Sequence, residues 1–170
     1  MLLDKRRKDI ERDFSERLPL MKVIKEELEE GLRKCKEEEG LLMKALYANL
    51  PLSDIANYSF EIFLDYVRHG IFLLKNSCFI EEIPAEIFFN YVLHPRINNE
   101  DIVPCRSFFY HELIDRVKGK SMEEAVLEVN HWCHEQVTYQ ISDSRTANAL
   151  TVYNRSLGRC GEESVFTVTA

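Results

Sequence analysis

The 170-residue sequence predicts a mainly α-helical protein. Residues 1–50 are rich in Glu, Lys, Arg and Leu, which favour helix, and contain only the early Pro19 as a breaker. Between Tyr58 and Lys75 the apolar positions Phe60, Phe63, Leu64, Val67, Ile71 and Leu74 recur at three and four, the period of a helix buried on one side. Ser121-Met122-Glu123-Glu124 reads as a capping box, where serine and glutamate satisfy each other's orphan backbone donors at a helix start.

In chain order, Leu20, Val23, Ile24, Leu28 and Leu32 place apolar side chains at helical spacing, and the charged run Lys34 to Glu39 leads to an expected break at Gly40. Leu41, Leu42, Ala45 and Leu46 begin a second apolar face, which Asn49-Leu50-Pro51 should end because a residue before proline is pushed out of the helical region. After the Tyr58 to Lys75 helix, Pro84 suits the start of a helix through Ile87, Phe88, Tyr91 and Val92, stopped by His94-Pro95. Pro104 suits another through Phe108, Phe109, Leu113, Ile114 and Val117. The aromatic density of these two helices reads as core packing, because no basic residues accompany it as a base-stacking surface would require. In the capped helix, Met122, Ala125, Val126, Val129, Trp132 and Cys133 form one stripe, and Gln136 to Ile141 turn toward extended structure. Ser142 to Ser144 read as a polar loop, Arg145 to Asn154 as a short helix, Ser156-Leu157-Gly158 as a turn, and Gly161 to Ala170 as a resumed apolar pattern.

Composition narrows the function classes. A hydrophobic content of 45% against 30% charged is enough to bury a core, and a net charge of −7 argues against a sequence-independent grip on nucleic acid. The early cluster Lys5-Arg6-Arg7-Lys8 is interleaved with Asp4, Asp9 and Glu11, so it reads as a solvated helix face. No run of about 18 apolar residues is present, so no membrane helix is expected, and no secretory signal is visible at the start. Cys35, Cys78, Cys105, Cys133 and Cys160 are widely spaced with no CxxC pair, which fits reduced thiols and a cytoplasmic location. His131-Trp132-Cys133-His134 lacks a second ligand cluster, and neither a metal nor a cofactor is expected.

The residue that stands out is Cys160, in Gly158-Arg159-Cys160-Gly161-Glu162-Glu163-Ser164. A cysteine after a glycine-containing turn, in the first turn of a helix, gains nucleophilicity because unpaired N-terminal amides favour the thiolate. A helix terminus supplies at most about 2 kcal/mol, so a cationic partner is needed as well. In thiol hydrolases and acyltransferases that partner is a histidine oriented by Asp or Asn. The amide of Cys160 is the natural first oxyanion donor, with the side chains of Asn154 or Trp132 as candidates for a second.

These residues carry a family resemblance. Glu128 to Tyr139, with Trp132 leading into Val137-Thr138-Tyr139, followed by Gly158-Arg159-Cys160-Gly161-Glu162 and Phe166-Thr167-Val168-Thr169-Ala170, resembles the first half of the transglutaminase-like core. The resemblance spans about Ser121 to Ala170. It implies the α+β fold of papain-like cysteine proteases and acyltransferases, with Cys160 as nucleophile and a His and an Asp following it in the chain. None of His69, His94, His111, His131 and His134 follows Cys160. The expectation is therefore a helical N-terminal domain over residues 1–118, joined over residues 119–170 to the nucleophile-bearing half of the core. On this reading the chain is the N-terminal part of a bacterial-type protein and is inactive alone. Its substrate would be a protein or peptide, attacked at an amide through a Cys thioester.

A rival reading from another class is a helical protein–protein interaction module without catalysis, using the surface before Lys118. The two separate at the Cys160 helix, whose face carrying Val165 and Phe166 is expected to be uncovered and to drive self-association.

Overall fold

The computed structural model describes residues 2–141 and 145–170, and the chain is mainly helical. The polar loop expected at Ser142 to Ser144 lies outside the described residues. Contacts divide the chain into two units, residues 1–95 and 96–170. The division falls upstream of the expected junction at Lys118–Gly119.

In the first unit, helix α1 (Leu2–Arg17) leads into a 3-10 turn, Leu18–Met21, that contains Pro19. The helical spacing of Leu20 and Val23 had implied burial, but Leu20 is 64% and Val23 99% exposed. Proline lacks the donor that would continue the helix, so the chain re-forms as α2 (Lys25–Lys34) with Leu28 turned inward. The expected break at Gly40 is instead at Cys35 and Lys36, both extended, and Gly40 lies inside α3 (Glu37–Asn49). Acidic Glu37, Glu38 and Glu39 favour a helix start there, and Glu39 accepts the Lys36 backbone N–H at 2.9 Å.

Helix α3 buries Leu41, Leu42, Met43, Ala45, Leu46 and Tyr47 against α1 and against α5 (Phe60–Asn76), which follows the short α4 (Leu52–Asn57). Gly31 of α2 lies beneath the Phe60 ring, where a Cβ would come within 2.7–2.8 Å of ring carbons. After a 3-10 turn at Cys78–Glu82, α6 (Ala85–Ile87) opens into a π turn at Phe88–Val92, with Leu93 N–H donating to Phe88 C=O at 2.8 Å. The wider winding buries Phe88 and Phe89 side by side and leaves Tyr91, expected in the packed stripe, 68% exposed.

The second unit contains α7 (Arg106–Val117), α8 (Met122–Gln136), β1 (Thr138–Tyr139), α9 (Ala149–Arg155), β2 (Leu157–Gly158) and α10 (Cys160–Thr169). The Ser121 capping box forms as expected: Glu124 N–H donates to Ser121 Oγ at 3.3 Å, and Ser121 N–H donates to Glu124 Oε2 at 2.9 Å. Strands β1 and β2 pair in parallel, Thr138 with Leu157 and Tyr139 with Gly158. The core is aromatic. Phe109, Trp132, Tyr153 and Phe166 meet at centroid distances of 5.4–6.2 Å, and each such pair adds about 0.5–1.5 kcal/mol beyond its buried area. This packing draws α7 into the unit. It also corrects the expectation for α10: Val165 and Phe166 are each 1% exposed, buried by α7, α8 and α9, and do not form an uncovered face. Val126 is the exception in the α8 stripe, at 60% exposed.

Candidate active site around Cys160

The site is assembled from the end of β2 and the first turn of α10. Ser156 takes the left-handed conformation that ends α9 (φ 55°, ψ 23°) and turns the chain directly into β2. Strand β2 is then held against β1 by Thr138 N–H donating to Ser156 C=O at 3.0 Å and Gln140 N–H to Gly158 C=O at 2.9 Å. Gly158 is buried in a close approach, since a Cβ there would stand 3.3 Å from both Glu162 Cβ and Val152 Cγ1. Arg159 is extended (φ −83°, ψ 170°) and α10 begins at Cys160.

Glu162 fixes this turn. It is 2% exposed, and its two carboxylate oxygens accept the Arg159 N–H at 2.9 Å and the Ala147 N–H at 3.0 Å. In the sequence Glu162 stands only as part of the Cys160 motif. Its reach to Ala147 depends on how the 145–148 loop folds back and has no local signal. Arg159 Nη2 adds a second tie, donating to Thr146 Oγ1 at 3.2 Å.

The Cys160 thiol is exposed at the first position of α10. The leading amides of a helix have no carbonyl one turn back, so the N–H groups of Cys160 and Gly161 are left for another acceptor. A Cβ on Gly161 would stand 4.0 Å from Nδ2 of the exposed Asn98 and meet nothing nearer. Asn98 lies on a loop held by a second buried carboxylate: Glu100, 4% exposed, accepts Ile97 N–H at 2.7 Å and Asn98 N–H at 2.8 Å. Arg96 also donates to the Glu100 carbonyl. Sequence reasoning missed Asn98, because it is far upstream of Cys160 in a segment without periodicity.

The other candidates lie as follows. Trp132 is 3% exposed, with its ring stacked on Tyr153 at 5.8 Å and tilted against Phe166 at 5.4 Å. Asn154 is exposed on α9, about 200° around the helix from Val152, the residue that meets Gly158. In this unit, His111 Nδ1–H donates to Ser107 C=O at 2.5 Å, and His131 Nε2 is 3.1 Å from Glu135 Oε1. Among the described residues no histidine is hydrogen-bonded to Cys160 Sγ, and no group of three His, Cys, Asp or Glu side chains is placed to hold a metal ion. Cys133 is buried beside Trp132, and burial pushes its thiol pKa up.

No family model, curated protein or solved structure matches this chain. No helix is long and apolar enough to cross a membrane, a statement that covers the described residues. The functional reading therefore rests on the chemistry of the site itself.

Proposed function

We propose that this chain carries the nucleophile-bearing half of a transglutaminase-like thiol enzyme, with Cys160 as the nucleophile. The observation that supports the reading best is the exposed thiol at the start of α10, beside amides without helical partners, on a turn held by the buried Glu162. In the proposed reaction the Cys160 thiolate adds to a peptide or side-chain amide carbon. The C–S bond forms as the carbonyl electrons move to oxygen, and collapse breaks the C–N bond and expels a protonated amine. Water or an amine then resolves the thioester. A neighbouring His must take the thiol proton and return it to the leaving amine, and an Asp must orient that His. The family's chain order places both after Cys160, so the 170-residue chain alone is proposed to be inactive in turnover.

The test is acyl transfer from a glutamine- or peptide-amide substrate to water or an amine by the full-length gene product. Cys160→Ala and Cys160→Ser should each abolish it with the fold retained. Turnover that survives Cys160→Ala sinks the proposal.

A second reading, a helical interaction module, draws support from the turn after α1, where Leu20 and Val23 project into solvent. Under it, Leu20→Asp with Val23→Asp abolishes complex formation by the full-length gene product and leaves chemistry at Cys160 unchanged. A complex that survives both substitutions rules it out.

A further inference from the structure

We infer that the first unit holds a binding site for the phosphate group of a small molecule, in the cleft where α1, the end of α2 and α3 meet. The inference does not depend on Cys160. It stands on the shape of the cleft, its charge, and a glycine that packing does not require.

The cleft has a volume of about 310 Å³, the size of a small ligand site. Its walls are two rows at helical spacing: Arg7 and Glu11 on α1, and Glu37, Gly40 and Lys44 on α3. Two ion pairs join the rows, Arg7 Nη2 to Glu37 Oε1 at 2.9 Å and Lys44 Nζ to Glu11 Oε1 at 2.8 Å. They hold the walls together and neutralise both carboxylates of the lining. Leu32 and the buried Leu41 supply an apolar part.

Two further cations line the cleft, Arg33 in the last turn of α2 and Lys36 just before α3. Among the described residues neither forms an ion pair. The acids beside them are taken by other partners: Glu30 by Lys34 at 2.7 Å, Glu38 by Lys75 at 2.6 Å and Glu39 by Arg68 at 3.0 Å. Four cations against two carboxylates leave two positive charges facing the cleft, in a chain whose net charge is −7. A phosphate monoester carries about −1.5 to −2 near neutral pH, which matches them. The Arg33 fork suits two phosphate oxygens, and Lys36 adds a point charge.

Gly40 keeps the space between the ion pairs open. Glycine weakens a helix interior, and a Cβ here would meet only Cys35 Cβ, at an ordinary 3.8 Å. Packing therefore admits a better helix former at this position. A local rule broken without a packing reason points to use of the space itself.

The experiment titrates inorganic phosphate and phenyl phosphate into the 170-residue chain, followed by phosphorus NMR at constant ionic strength. At least one probe should bind saturably, with a Kd of about 1 mM or tighter. Tighter binding of phenyl phosphate assigns an organic phosphate as ligand, and equal affinity assigns phosphate itself; both support the site. Arg33→Ala with Lys36→Ala should weaken binding at least about tenfold. Gly40→Leu should weaken phenyl phosphate binding by a similar factor without lowering the thermal midpoint. Lys22→Ala with Lys25→Ala, the same charge change at exposed positions outside the cleft, should leave binding unchanged. No saturable binding of either probe to the folded wild-type chain overturns the site. An equal loss in both double variants also overturns it, because binding would then follow net charge. Wild-type affinity in folded Gly40→Leu overturns the cleft as its location.

Discussion

Glu162 accepts the backbone N–H of Ala147 at 3.0 Å across fifteen positions of sequence, from a site only 2% exposed. The same carboxylate holds Arg159 N–H at 2.9 Å, so one side chain joins the 145–148 loop to the turn before Cys160. Removing it strands two part-buried amides. Glu162→Ala should destabilise the second unit by about 2–4 kcal/mol, whereas Glu162→Gln, which keeps one acceptor, should cost less. Urea denaturation followed by the fluorescence of Trp132 measures this directly, because Trp132 is the single tryptophan and lies in that unit.

Gly31 under the Phe60 ring makes an opposite test of local propensity. Alanine is about 1 kcal/mol better than glycine inside a helix. Here its Cβ would stand 2.7–2.8 Å from aromatic carbons of a buried ring. Gly31→Ala should therefore destabilise the first unit by about 1–3 kcal/mol, and a circular-dichroism melt with raised stability would contradict the packing.

The Glu39 carboxyl is held below its ordinary value of 4.5 by the Lys36 backbone N–H first and then by the Arg68 guanidinium at 3.0 Å, against an opposing effect of burial. A carboxyl depressed in the folded state contributes stability above its unfolded pKa and loses it as pH falls through the folded one. Stability of the first unit should hold from neutral pH down to about 5 and decline below about 4. Glu39→Gln should flatten that decline, as read by urea midpoints across pH.

Phe166 and Val165 lie in the core, so Asp at either position should unfold the second unit and cannot report on self-association. Phe166→Ala should cost about 3–5 kcal/mol. Self-association through this end must use the residues that are exposed there: Tyr139 at 58%, Ile141 at 81%, Leu157 at 40% and Val168 at 64%. Ile141→Asp with Val168→Asp should leave the fold intact and abolish any concentration-dependent sedimentation.

Much of the helical framework could be read from sequence because its signals are local. The Ser121 capping box and the three-and-four repeat of Phe60, Phe63, Leu64 and Val67 each depend on neighbours within a turn or two, and these elements lie where expected. Breaks were harder. Gly40 attracted the break that capping by Glu39 places at Lys36, and nothing local distinguishes the π turn at Phe88–Val92 from an ordinary helix. At the candidate site, Cys160 was visible as a residue after Gly158 at a helix start. Glu162 reaching Ala147, and Asn98 over Gly161, were not visible, because only tertiary folding brings those positions together.

The central claim is that the turn around Cys160 promotes attack on an acyl carbon and does more than expose a thiol. The most direct measurement is the ratio of acylation rates by p-nitrophenyl acetate at Cys160 and Cys78, each divided by its own iodoacetamide alkylation rate. Both thiols are exposed, so access alone gives a ratio near one. A promoted thiol should give about ten or more. A ratio of one, with the chain folded and both cysteines alkylated, would contradict the account.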